Sequence, residues 1–158
     1  MLKYTDAVVT FAEIPNEITL CINISNCPIH CPGCHSKYLW EDVGEPLNLM
    51  HLCDLIDGNI GITCVCIMGG DADPIDVDML AGDIKEYYEL KTAWYSGRQE
   101  LSKDITLDNF DFIKLGPYIE KLGGLDSKTT NQRMYKVEDN KLIDITNSFW
   151  KHEGNKTE

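Results

Sequence analysis

Three of the chain's seven cysteines fall within Cys27-Pro28-Ile29-His30-Cys31-Pro32-Gly33-Cys34, a C-x3-C-x2-C spacing. Thiolates are soft ligands, and three on one short loop can converge on a soft metal centre. Two prolines and a glycine shape the backbone so that the loop can wrap instead of continuing as a helix. A four-iron cluster needs four ligands. Three cysteines therefore leave one iron open to a small molecule, a catalytic arrangement by the same logic as an open zinc position. Spacing alone leaves two other readings. Zinc held by Cys27, Cys31, Cys34 and either His30 or His35 would make a closed structural site, or the three cysteines could be unliganded. The irregular gap fits paired zinc knuckles poorly, which favours the cluster.

A second stretch with chemical use is Gly69-Gly70-Asp71, which follows an apolar run. It can be a turn that only glycine makes. It can also be bare backbone to which the polar end of a ligand hydrogen-bonds. Cys21, Cys53, Cys64 and Cys66 lie on apolar-patterned segments and read as small hydrophobes. There is no H-E-x-x-H or G-x-S-x-G motif, and no side chain stands out as a catalytic acid, base or nucleophile.

The elements that must position these residues are legible as periodicities. Residues 17–24 alternate, with Ile18, Leu20, Ile22 and Ile24 on one face, and predict a strand that runs into the cysteine loop. Asn48 predicts an N-cap, with Leu49, Leu52, Cys53 and Ile56 at helical spacing and Gly58 as the stop. Residues 62–68 predict a buried strand closed by Gly69-Gly70. Val77, Leu80, Ala81 and Ile84 repeat as one face of a second helix. Residues 91–95 and 111–115 predict two further strands, 98–110 a short helix, and 133–137 with 142–146 a hairpin. Strands alternating with helices imply βαβ units and a parallel sheet. The expected fold is α/β, an open partial (β/α) barrel with a mainly parallel sheet. In such sheets functional residues gather at the carboxyl ends of strands, so the cysteine loop and Gly69-Gly70 should share one rim.

A chain of 158 residues predicts one domain over 1–158, with a frayed tail from about 151. Apolar residues at 43% and charged residues at 25% argue against wholesale disorder. Lys plus Arg is 14 against 26 Asp plus Glu, a net charge of −12. That balance argues against nucleic acid and against an anionic membrane as partners, and permits a basic protein surface or a small molecule. No apolar run approaches the ~20 residues of a membrane helix. Met1-Leu2-Lys3-Tyr4-Thr5-Asp6 lacks a basic stretch followed by an apolar one, so no signal peptide is expected and the location should be cytoplasmic.

The cysteine spacing resembles the radical S-adenosylmethionine (SAM) superfamily. The wider string, Leu20-Cys21-Ile22-Asn23-Ile24-Ser25-Asn26-Cys27 through Cys31-Pro32-Gly33-Cys34-His35-Ser36 and on to Trp40, resembles the anaerobic ribonucleoside-triphosphate reductase-activating proteins. Met68-Gly69-Gly70-Asp71 is similar to that family's Gly-Gly-acid turn, Ala93-Trp94-Tyr95-Ser96-Gly97 to its aromatic strand, and Thr130-Asn131-Gln132-Arg133 to its C-terminal segment. The resemblance spans roughly residues 13–137.

It implies a [4Fe–4S] cluster on Cys27, Cys31 and Cys34 whose fourth iron is open to SAM. It implies SAM contacts from Gly33, Cys34, His35, Met68, Gly69, Gly70 and Asp71. The implied activity is oxidoreductive: SAM is cleaved, and a glycyl radical is generated on the large subunit of anaerobic ribonucleoside-triphosphate reductase. A flavodoxin- or ferredoxin-type protein would be the electron donor. The alternatives are activation of another glycyl-radical enzyme, or a zinc-stabilised binding module. Gly33 stands where many superfamily members place an aromatic against adenine, so backbone around Gly33 and His35 would hold the base. Asn26 replaces a glycine often seen before the first cysteine. The acid-proline pair is stretched to Asp71-Ala72-Asp73-Pro74, so either aspartate could take the family's position. The partner would dock on the open rim, with His35, Tyr38 and Trp40 as candidate contacts.

Overall fold

The computed structural model describes residues 1–31 and 37–150. Gly33, Cys34 and His35, and the tail expected to fray, lie outside the described residues.

The elements run in the order β1 (Lys3–Thr10), β2 (Thr19–Ile24), β3 (Glu45–Pro46), α1 (Leu49–Asp57), β4 (Cys64–Met68), α2 (Pro74–Tyr87), β5 (Lys91–Tyr95), β6 (Phe112–Leu115), β7 (Arg133–Glu138) and β8 (Lys141–Asp144). All eight strands join one sheet in the order β3-β1-β2-β4-β5-β6-β7-β8. Parallel pairing is confined to β2–β4, β4–β5 and β5–β6. The pairs β1–β2, β1–β3, β6–β7 and β7–β8 are antiparallel.

This overturns the expectation of an open partial (β/α) barrel with a mainly parallel sheet. The sheet is mixed, and two α-helices are found among the described residues. Two physical reasons account for the difference. First, β1 has no fully buried residue and alternates poorly, so its sequence gives little strand signal, yet it pairs along most of β2. Second, the β5–β6 crossover carries only a 3-10 turn, Leu107–Asn109, where a barrel needs a helix. The hairpin β7–β8 then closes the far side antiparallel.

Local chemistry explains the elements that do match. The Asn48 side chain accepts a hydrogen bond from His51 N at 2.9 Å and starts α1, which ends at Gly58. Asp73 accepts from Asp76 N at 3.3 Å and starts α2, with Pro74 in the first turn where its missing N–H costs nothing. Val77, Leu80, Ala81 and Ile84 are all buried, as their spacing predicts.

The four mutually parallel strands, β2, β4, β5 and β6, are mostly buried on both faces. Leu20, Ile22, Ile24, Val65, Ile67 and Trp94 face α1 and α2 and form the larger core. Cys21, Cys64, Cys66, Ala93, Phe112 and Met134 face the other way, and that face is covered by irregular chain through Ile14 and Leu125, with Ile145 and Phe149 packed at its margin. The three cysteines there are buried to 3% exposure or less, as small hydrophobes. No helix among the described residues is long and apolar enough to cross a membrane.

Candidate functional site

Because β2, β4, β5 and β6 run parallel, the segments that follow them emerge at one rim. These are the cysteine loop after Ile24, Gly69-Gly70-Asp71 after Met68, Ser96-Gly97 after Tyr95, and Gly116 after Leu115. The shared rim expected from the sequence is therefore present, formed by three parallel pairings inside a mixed sheet.

The cysteine loop is anchored at both described ends. Asn26 N donates to Glu41 O and Cys27 N to Leu39 O, both at 2.8 Å. Asn26 and His30 hold φ of 58° and 51°, in the left-handed region. That explains the residue before the first cysteine: asparagine tolerates this region better than most, and glycine tolerates it best. The His30 ring stacks on Trp40 with centroids 4.6 Å apart and planes 8° from parallel. Trp40 is half-buried and Tyr38 is exposed. Ile29 closes the loop onto the neighbouring turn: a Cβ on Gly97 would lie 2.8 Å from Ile29 Cγ1. Cys27 is half-buried, Cys31 is buried, and both are free thiols. Among the described residues no three His, Cys, Asp or Glu side chains gather as a metal site, and Cys34 lies outside them.

The glycine turn is held from below. Gly69 N donates to Tyr95 O at 3.0 Å, and Trp94 Nε1 donates to Gly69 O at 2.6 Å. Both glycines have positive φ, 107° and 95°. Their missing side chains face different ways. A Cβ on Gly69 would meet Ile24 O at 3.3 Å, beside the root of the cysteine loop, whereas one on Gly70 would meet Val77 Cγ2 at 2.6 Å, in the core under α2. Asp71 is buried, accepting from Ser96 Oγ at 2.5 Å and from Gly97 N at 2.8 Å. It ties the β4 turn to the β5 turn. Asp73 sits at the start of α2.

Register sets Met68, a residue expected at the site, in a row with Asn23, Tyr95 and Lys114, which the sequence reading did not assign to it. Asn23 pairs with Met68, Met68 with Tyr95, and Tyr95 with Lys114. Partners in register point the same way, so these four side chains form a row on the face opposite the helices. Lys114 is 7% exposed. Its Nζ donates to Ser96 O and Gly116 O at 3.0 Å each and lies 5.5 Å over the Tyr95 ring. No carboxylate forms a direct ion pair with it among the described residues. Its only sequence signal was a lone lysine inside an otherwise apolar strand, Phe112-Ile113-Lys114-Leu115.

Burial pushes Lys114 down from its ordinary 10.5 to about 8, while Asp71, Cys31, Cys66 and Cys27 pull it upward. Between those two values the unfolded chain keeps a proton that the folded chain has released. The contribution of this lysine to stability therefore rises with pH across that window. The buried thiol of Cys64, pushed up from 9.0 to about 12, acts oppositely, and its contribution falls as pH rises above 9. Lys114→Met is expected to abolish a gain in Tm between about pH 8 and pH 9. Melting curves across that interval check it, and a variant retaining the full gain would contradict the assignment to Lys114.

Cys27 and Cys31 are two free thiols on one anchored loop, and soft thiolate ligands of this kind suit a soft metal centre. Comparison with family models, curated proteins and solved structures returned no match.

Proposed function

We propose that the chain is a radical SAM activase that generates the glycyl radical on anaerobic ribonucleoside-triphosphate reductase. The observation that carries this reading is the meeting, at one rim, of the cysteine loop and the Gly69-Gly70-Asp71 turn, which lie about forty residues apart in sequence and are joined through Ile29, Gly97 and Asp71. Cys27, Cys31 and Cys34 would hold a [4Fe–4S] cluster. Bound and reduced, such a cluster would supply the one electron needed to cleave SAM to methionine and a 5′-deoxyadenosyl radical, the species that would take a hydrogen atom from the partner's glycine.

The chain's own residues bind, orient and exclude water. The anchors on Asn26 and Cys27 fix the start of the loop, and Ile29 seals it against Gly97. Asp71 locks two turns together through both carboxylate oxygens, so the rim is built before any ligand arrives. Lys114 holds a positive charge at the rim on the Ser96 and Gly116 carbonyls, within electrostatic reach of Asp71 and of the loop's cysteines. Gly69 packs its bare backbone against Ile24, at the root of the cysteine loop.

The partner would lie over this rim, since a primary carbon radical takes hydrogen from whatever C–H bond it meets first and must reach its glycine directly. An interface of ~800 Å² per partner would cover most of it, and exposed Tyr38 is available to touch it. The test is an electron paramagnetic resonance spectrum of reduced protein, SAM and candidate glycyl-radical enzymes mixed without air. A glycyl doublet on the reductase is expected. A doublet confined to another glycyl-radical enzyme would overturn the named partner. A colourless protein holding zinc would overturn the chemistry.

A further inference from the structure

The sheet is bounded by β8 on one side and by β1, with its two-residue cover β3, on the other. The two sides are not alike. Strand β8 is four residues long and carries Lys141 and Asp144, a short charged edge of the kind that resists further pairing. Strand β3 covers only Lys3 and Tyr4 of β1. From Asp6 to Thr10 the inner side of β1 pairs with β2, and among the described residues no strand pairs with its outer side. That leaves a free row of main-chain donors and acceptors, a template for one more strand. The side chains suit the same use. Val8 is 51% exposed, Val9 41% and Phe11, just beyond the strand, 74%. Asp6 is the one charged residue from Asp6 to Ala12. An edge that is β-branched, nearly uncharged and free of proline pairs unless something covers it.

Three properties select a second copy of this chain as the occupant. The first is self-complementarity. The free stretch has its midpoint at Val8, so antiparallel pairing about a two-fold axis there uses all of it. Val8 then faces Val8 of the other copy, Ala7 faces Val9, and Asp6 faces Thr10, each couple on one side of the sheet. Thr10 Oγ1 accepts from Ala12 N at 3.1 Å and keeps its own proton to donate to the facing carboxylate. The second is charge. Two chains that each carry −12 meet most easily where charge is sparse, and in this register the Asp6 carboxylates do not face each other. The third is closure. Pairing β1 with β1 ends at two copies and buries both apolar edges, whereas β1 on β8 would propagate as a filament past the charged residues of β8. We propose that two copies of the chain pair through β1 as a two-fold dimer with one continuous sheet. The axis sends the two cysteine rims to opposite ends of that sheet, so each stays open, and the inference stands apart from the function proposed above.

The experiment is multi-angle light scattering of the full chain, kept reduced, over a dilution series. One shared strand pair is a small interface, so the molar mass should rise from one chain's to two chains' near ~10 μM. Val8 is exposed, so Val8→Lys and Val8→Glu should fold normally. Each sets like charges face to face on the axis and should weaken pairing roughly fivefold or more. An equal mixture of the two variants sets opposite charges there and should regain the mass of the wild type. Ile143→Lys, on the exposed surface of β8, should leave pairing unchanged. Hydrogen exchange of the wild type tests the same contact without a substitution: amides within Asp6–Thr10 should slow as concentration rises. A wild type that stays monomeric up to about 1 mM would overturn the proposal and leave the edge to a strand of another protein. So would variants that pair as tightly as the wild type, a mixture no tighter than either variant alone, loss of pairing in Ile143→Lys, or protection gained only outside β1.

Discussion

Cys27→Ala, Cys31→Ala and Cys34→Ala are each expected to reduce bound iron and sulfide to background, while Cys21→Ala, Cys53→Ala, Cys64→Ala and Cys66→Ala retain both. The contrast comes from placement. Cys27 and Cys31 lie on the anchored loop at the rim. Cys21, Cys64 and Cys66 are sealed inside the second core, where burial pushes the Cys64 and Cys66 thiols up and away from the thiolate a metal needs. Removing one of those three costs packing only, roughly 1 kcal/mol for a small buried group. Iron and sulfide analysis after anaerobic reconstitution checks the series. Normal iron in Cys31→Ala, or equal loss in all seven variants, would contradict it.

Gly70→Val is expected to destabilise the fold before it affects any ligand. Gly70 holds φ of 95°, which costs a residue with a Cβ on the order of 1–3 kcal/mol. Its Cβ would sit 2.6 Å from Val77 Cγ2, in the fully buried seam between the β4 turn and α2. Overpacking such a seam adds roughly 1–3 kcal/mol. At about 2–4 °C per kcal/mol for a chain of this size, Tm should fall by on the order of 10 °C. Gly69→Ala makes the informative comparison. Its Cβ meets Ile24 O at the looser 3.3 Å, so it carries the backbone strain without the core clash. Gly69→Ala should be the more stable of the two and the more impaired in SAM binding per degree of Tm lost. Thermal melts with SAM calorimetry separate them, and a Gly70→Val protein with wild-type Tm would show that α2 yields.

The sequence carried more of the rim than of the sheet. Asn48 with Gly58, the Val77-Leu80-Ala81-Ile84 repeat and the apolar runs before Gly69 and Ser96 are local signals, and each element lies where its residues predicted. The rim needs only that β2 and β4 run side by side, which an intervening helix already implies. The topology failed where the deciding contacts are not local. Strand β1 pairs with β2 through a register that no periodicity in Lys-Tyr-Thr-Asp-Ala-Val-Val-Thr announces. Strands β7 and β8 were legible as a hairpin, but nothing in their pattern said that they attach antiparallel to β6. Lys114 escaped for a related reason. A lysine in an apolar run looks like an edge residue until the neighbouring turns supply two carbonyls to hold it. Asn26 shows the converse: its place before the first cysteine became intelligible once its positive φ was seen.

The central claim is that the rim cleaves SAM by one-electron reduction. Its most direct test is chromatography of the products formed when the reconstituted, dithionite-reduced protein is given SAM without air and without a partner. The account predicts 5′-deoxyadenosine and methionine in equal amounts, formed by the wild-type protein and absent from Cys31→Ala. Intact SAM, from a protein shown to hold its full complement of iron and sulfide, would contradict it.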